Sequence, residues 1–243
     1  AFTGSQNLVA SDFVAGITYE ELVLRLTGPA VLELQYIFAT DWFLETNEVL
    51  ESETIFPDPE ITGSIPIQAL PSGPDFPTQN NHRFIVALIH AARKQIKITT
   101  PYFIPDEAML QALQTAVLRG VDVHLVFSET GYQVLVSWAQ RSYYEELLEA
   151  GVKVHLYQKN FLHAKFLTID DHIGLVLVNE RPEALVLLPL GDANVVELDI
   201  RASRMIGLDD DDLPAEVQRA EELYRASIFE DERRRRPDRI HQR

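Results

Sequence analysis

Cysteine is missing from the 243-residue sequence. Disulfides and thiolate-held metals are therefore excluded. Basic residues are scarce, 21 against 37 acidic ones, for a net charge of −16. So acidic a chain opposes a nucleic-acid backbone, which is met by clustered Lys and Arg, and general adhesion to anionic lipid. No apolar run reaches membrane-spanning length; 173–178 and 184–190 are the longest and are strand-sized. There is no signal peptide and no initiator Met. The opening Ala1-Phe2-Thr3-Gly4-Ser5 reads as the middle of a longer polypeptide. No metal-ligand spacing stands out, since His82 and His90 fall eight apart, so neither metal nor cofactor is expected.

What is present is a chain of globular composition, 46% hydrophobic and 24% charged, long enough for a sizeable core. Residues 22–26 alternate as a strand. From Pro29 apolar residues recur at Val31, Leu34, Phe38 and Trp42 with a helical period. An acidic, Pro-bearing stretch follows at 45–63, then a strand at 65–70. Beyond it strands and helices alternate: helix 83–94, strand 96–100, helix from Pro105 to Gly120, strand 121–127, helix 133–150, strand 152–157, strand 161–169 and strand 173–178. The pattern predicts an α/β fold with a mixed, largely parallel sheet flanked by helices. A last helix is expected at 214–229. The acidic run 209–212 and the basic run 233–236 read as solvated surface.

The run Phe161-Leu162-His163-Ala164-Lys165-Phe166-Leu167-Thr168-Ile169-Asp170 carries the chemistry. Two residues apart on an extended strand, His163 and Lys165 project to one side, with Ala164 and Phe166 on the packed side. An imidazole beside an ammonium suits a phosphodiester. The cation neutralises non-bridging oxygens, and the imidazole attacks phosphorus or moves a proton. The loop 99–105 ends a strand and precedes a helix, so its hydroxyls and that helix N-terminus are expected to help hold an anion. His124 and His155 sit in apolar strands and are read as structural.

His-x-Lys-x-x-x-x-Asp resembles the signature of the phospholipase D superfamily. Residues 70–75, 87–92, 99–107, 139–144 and 162–165 make the chain similar to bacterial cardiolipin synthases in particular. The resemblance implies a phospholipase D-like fold with two similar domains, each bringing one such motif to a shared site. On that basis residues 1–50 end a first domain, 51–64 are a linker, 65–230 form a second domain and 231–243 a flexible basic tail. Gly4-Ser5-Gln6-Asn7 resembles the Gly-Ser-x-Asn that trails the first motif, so Gly4, Ser5 and Asn7 are expected to bind substrate and the first motif to lie upstream. After the second motif the family repeats Gly-Ser-x-Asn, whereas this chain has Leu177-Val178-Asn179-Glu180, and Gly191-Asp192-Ala193-Asn194 is a distant echo.

The implied reaction joins two phosphatidylglycerols into cardiolipin and glycerol through a phosphohistidine, without metal or other cofactor. His163 is assigned general acid/base work and Lys165 the phosphate. Asp170 is grouped with them, orienting rather than reacting. Glu180, Glu183 and Glu197 are candidates to orient His163. The implied partners are phospholipid and, through upstream segments, a bacterial cell membrane, with this segment soluble and no nucleic acid bound. Two alternatives remain: a homodimeric phosphodiesterase or nuclease, and an inactive remnant.

Overall fold

A computed structural model describes residues 1–7, 14–61, 63, 65–72, 79–131, 133–170 and 172–178, and the backbone alone of 184–189. The strands are β1 (Phe2–Gly4), β2 (Tyr19–Glu20), β3 (Val23–Arg25), β4 (Gln68–Pro71), β5 (Gln95–Thr99), β6 (Asp122–Ser128), β7 (Lys153–Tyr157), β8 (Phe161–Leu162), β9 (Phe166–Ile169), β10 (Ile173–Val178) and β11 (Ala184–Pro189). The helices are α1 (Ala30–Thr46), α2 (Asn80–Ala91), α3 (Glu107–Leu118), α4 (Val134–Arg141) and α5 (Tyr144–Glu149). Seven strands form the main sheet in the order β4-β11-β10-β9-β5-β6-β7. The sheet is mixed. Parallel pairing runs through β5-β6-β7, where helical crossovers join the strands, and the other four pairings are antiparallel.

Two apolar clusters cover the two faces. Ile89, Leu113 and Leu147 from α2, α3 and α5 pack on Ile96, Leu125, Phe127, Leu167 and Leu175. Leu22, Leu24 and Leu26, with Val31 and Leu34 of α1, pack on Ala164, Phe166 and Val176. The N-terminal segment is thereby laid against the run that carries the motif. β1 and β3 form an antiparallel pair, and β2 pairs in parallel with β8, setting Tyr19 against Phe161 and Glu20 against Leu162. Among the described residues no helix is long and apolar enough to cross a membrane.

Four local expectations are corrected. Helix α3 starts at Glu107, because Asp106 caps it with a bond from the Met109 N–H at 2.9 Å, and Pro105 stays outside. The helix expected over 133–150 is two, α4 and α5, broken at Ser142-Tyr143, where the buried Gln140 side chain bonds the Tyr144 hydroxyl and the Phe103 N–H. The helix expected from Arg83 begins at Asn80. The motif strand is interrupted: residues 163–165 lie between β8 and β9, because His163 and Ala164 both donate their backbone N–H to the Glu20 carbonyl, at 2.8 and 2.9 Å. The expected helix 214–229, the runs 209–212 and 233–236, and Glu180, Glu183 and Glu197 lie outside the described residues.

Candidate active site

His163 and Lys165 converge although they are not in a regular strand. Lys165 Nζ is 3.1 Å from His163 Nε2 and donates to the His163 carbonyl at 3.2 Å. The other ring nitrogen, Nδ1, lies 2.7 Å from Glu21 Oε1. An ammonium can only donate and a carboxylate can only accept, so this arrangement selects the tautomer with its proton on Nδ1 and a lone pair on Nε2. Rings fix the imidazole plane: Tyr19 meets it edge-on at 5.3 Å and Phe161 at 5.7 Å, while Tyr102 in turn packs on Phe161 at 5.9 Å.

Glu21 is held from behind. Ser5 Oγ donates to its Oε2 at 2.5 Å and accepts the Leu22 N–H at 2.9 Å. Ser5 therefore reaches the site through Glu21, in the sequence Ser5–Glu21–His163–Lys165. Gly4 brings β1 against β3 so closely that a Cβ would stand 2.0 Å from the Leu22 carbonyl oxygen, at a φ of +156°. The close backbone approach expected of Gly4 is thus to the chain's own strand. Asn7 is half-buried at the end of the same segment. Next to Glu21, Glu20 holds the turn before β8 through Asn160 Nδ2 at 2.6 Å and the Tyr157 hydroxyl at 3.2 Å.

Asp170 is not part of this cluster. It follows the far end of β9, about 16 Å along an extended chain from Lys165. Its carboxylate accepts the backbone N–H groups of Arg93, Lys94 and Gln95 at 2.7, 2.6 and 2.9 Å. Burial opposes its ionisation, but those three donors prevail and hold it below the ordinary aspartate range. Its own φ of +53° turns the chain into the β9–β10 hairpin. Opposite it, the Arg119 guanidinium takes the Ile89, His90 and Ala92 carbonyls at 2.7–2.9 Å. Together they pin the α2–β5 junction.

The loop 99–105 does not offer a free anion site. Asp106 already occupies the α3 N-terminus, and Thr100 Oγ1 donates to the Tyr102 carbonyl. Met109 N–H and the neighbouring His82, 2.9 Å away, hold Asp106 below its ordinary range. That loop instead walls a cavity of about 350 Å³ with Ile85, Ile98, Met109, Phe166 and Leu177. His163 and Lys165 line neither this cavity nor the apolar groove between α1 and β4. Both are buried, 1% and 7% exposed, so a phosphate reaches them only past the chain that covers them. Among the described residues no group of three or more His, Asp or Glu is placed to hold a metal.

Sequence reasoning missed Glu21. It lies 142 positions from His163 and enters through the parallel β2–β8 pairing, which leaves no mark in local spacing. The one available signal was an acidic pair, Glu20-Glu21, set immediately before an apolar strand.

Residues 85–178 match the family described as "Cardiolipin synthase, PLD-like domain". Cardiolipin synthase A of Yersinia pseudotuberculosis serotype O:1b (strain IP 31758) is 32% identical over 248 residues, covering 96% of this chain and 47% of that protein. The protein of the same name from Y. pseudotuberculosis serotype O:3 (strain YPIII) is 36% identical over 184 residues, covering 72% of this chain and 38% of that protein. The chain thus spans less than half the length of these relatives. Among solved structures, the phospholipase D family member Nuc from Salmonella typhimurium is 20% identical, with a TM-score of 0.42, covering 52% of this chain and 84% of that one.

Proposed function

The chain is a cardiolipin synthase-like member of the phospholipase D superfamily, and on that premise we propose that it serves phosphatidyl transfer between two phosphatidylglycerols, with His163 as general acid and base. The observation that carries this is the contact set of one imidazole: carboxylate on Nδ1 at 2.7 Å, ammonium on Nε2 at 3.1 Å. Glu21 keeps the Nδ1 proton in place and stabilises the imidazolium when Nε2 is protonated. Lys165 Nζ moves from Nε2 to a non-bridging phosphate oxygen, neutralising charge where it builds up.

The nucleophile in this scheme is the histidine of the first His-x-Lys motif that such proteins carry; these 243 residues hold one such motif, that of His163. That histidine forms a bond to phosphorus as the P–O bond to glycerol breaks. His163 gives its Nε2 proton to the departing glycerol oxygen. It then takes the proton of a second phosphatidylglycerol's hydroxyl, whose oxygen attacks phosphorus and breaks the P–N bond. The products are cardiolipin and glycerol, and His163 ends as the imidazolium that opened the cycle, its Nε2 having first taken a proton from solvent when Lys165 left it for the phosphate. Residues 1–50 act in this scheme as the close of a first domain, contributing Glu21 and its Ser5 support to the His163 half-site.

The test is a phosphatidylglycerol transfer assay on the chain joined to its upstream coding sequence, and on the 243 residues alone. The extended chain is expected to release one glycerol per cardiolipin, and the 243 residues little. His163→Ala should lower turnover by about 10²–10⁴-fold, and Glu21→Gln by about 10–100-fold. Full turnover by the His163→Ala protein would remove the role given to that residue. Robust turnover by the 243 residues alone would remove the need for a second motif.

A further inference from the structure

The two histidines that read as structural in the sequence meet across the sheet. β6 carries His124, and β7, the edge strand, carries His155. His124 Nδ1 and His155 Nε2 are 2.9 Å apart, and the two rings are nearly parallel, 6° between planes with centroids 5.2 Å apart. The pair lies on the sheet face turned away from α2, α3 and α5, because Val123, Leu125 and Phe127 fill the other side of β6. They stand 31 positions apart in the chain, so no local spacing marks them.

One carboxylate sets the chemistry of the pair. His124 Nε2 is buried and lies at ion-pair distance, 3.1 Å, from Asp122 Oδ1, which Lys153 Nζ also meets at 2.7 Å. A carboxylate can only accept, so the His124 proton sits on Nε2 and Nδ1 keeps its lone pair. Metal-binding histidines are oriented and made more basic in this way, with a carboxylate on the nitrogen that does not ligate. His155 is exposed, so an ion can reach the pair from solvent and keep water on its remaining positions. Asp122 and Lys153 cancel in charge. Lys97, in register with His124 on β5, disfavours a cation there, whereas the net charge of −16 favours one.

Distance chooses the ion. Imidazole nitrogens bind a divalent transition ion at about 2.0–2.1 Å, so two of them stand about 2.9 Å apart at a right angle and about 3.4 Å apart at a tetrahedral one. The spacing of 2.9 Å is the right-angle value. Right angles belong to tetragonal nitrogen and oxygen sites, which suit Cu(II) and Ni(II) rather than Zn(II). In the hydrogen-bonded pair a proton lies between the two nitrogens. For an ion to replace it, His155 releases its Nε2 proton to solvent, takes one on Nδ1 and turns its exposed ring until both lone pairs converge. The number of bound protons is unchanged.

We propose that His124 Nδ1 and His155 Nε2 form a two-histidine site for a divalent transition ion, Cu(II) ahead of Ni(II), which clamps the edge strand β7 to β6. The site is independent of phosphatidyl transfer, and its test involves no turnover.

The experiment titrates the full chain with CuCl2, NiCl2 and ZnCl2 at neutral pH. One Cu(II) is expected to bind, with an electron paramagnetic resonance spectrum split by two imidazole nitrogens. Cu(II) and, less strongly, Ni(II) should raise the melting temperature, and Mg(II) and Ca(II), which take oxygen ligands, should not. His155→Gln keeps an N–H to donate to His124 Nδ1 but has no nitrogen lone pair. It should melt as wild type without metal, and lose both the two-nitrogen spectrum and the metal-dependent rise. Asp122→Asn keeps both ligands and should weaken Cu(II) binding by about 10–100-fold. Equal Cu(II) binding by wild type and His155→Gln, or a spectrum without two nitrogens, would put the ion on other side chains and overturn the proposal. Zn(II) binding tighter than Ni(II) would overturn the choice of a tetragonal ion.

Discussion

At the scale of single residues, the motif His-x-Lys-x-x-x-x-Asp contains two different jobs. His163 and Lys165 meet within hydrogen-bond distance. Asp170 spends its carboxylate on three backbone donors at the start of β5. Charge-assisted bonds of this kind are short and strong. Asp170→Asn keeps the size of the side chain and removes its charge, and an amide can accept through one oxygen only. We expect it to cost about 1–3 kcal/mol of stability, read from urea denaturation, with the spectroscopic signature of the His163 ring unchanged. A shift of the His163 ring resonances as large as that of the 93–95 amides would instead tie Asp170 to the imidazole. The spacing between these residues was legible in the sequence; the division of labour was not, because the four residues of β9 separate Lys165 from Asp170 and only the fold shows what lies beside each.

At the scale of elements, the candidate site depends on a short strand laid over another. β1 approaches β3 at Gly4, where no Cβ can stand, and this contact sets Ser5 beneath Glu21. Gly4→Ala should push the two strands apart and destabilise the protein by at least about 1–3 kcal/mol. It should also reduce the transfer proposed for the chain joined to its upstream sequence, since Glu21 loses its support. A melting curve matching wild type would show that the pair tolerates the methyl group. The glycine-serine pair was visible as a likeness to a known segment, but its neighbour across β3 was not. Helix α4 shows the opposite failure. The sequence marks a helix there but not which side faces the core, and Gln140 decides that through partners outside α4, leaving Leu135 and Trp138 exposed.

For the whole molecule, acid tolerance follows from the same bonds. Asp122 is 2.7 Å from Lys153 Nζ and 3.1 Å from His124 Nε2. Burial resists its ionisation, but those partners outweigh it and pull it down to about 2. Asp170 is lowered as well. A carboxylate depressed in the folded state adds stability above its unfolded value, and that contribution fades as the pH falls through the folded one. Unfolding free energy should therefore decline from about pH 4 downward, with the share due to Asp122 lost between 3.8 and about 2. Urea titrations at pH 7, 4, 3 and 2 should show a flatter acid limb in Asp122→Asn; equal slopes would discount the ion pair. By itself the sequence determined the α/β class, most strands and helices, and the pairing of imidazole with ammonium, because these depend on periodicity and on neighbours two residues apart. Only the tertiary structure decided that Glu21 orients His163, that Asp170 serves the α2–β5 junction and that α4 turns its apolar side outward. Each of those rests on contacts between segments distant in the chain, and no local spacing encodes which distant segments will meet.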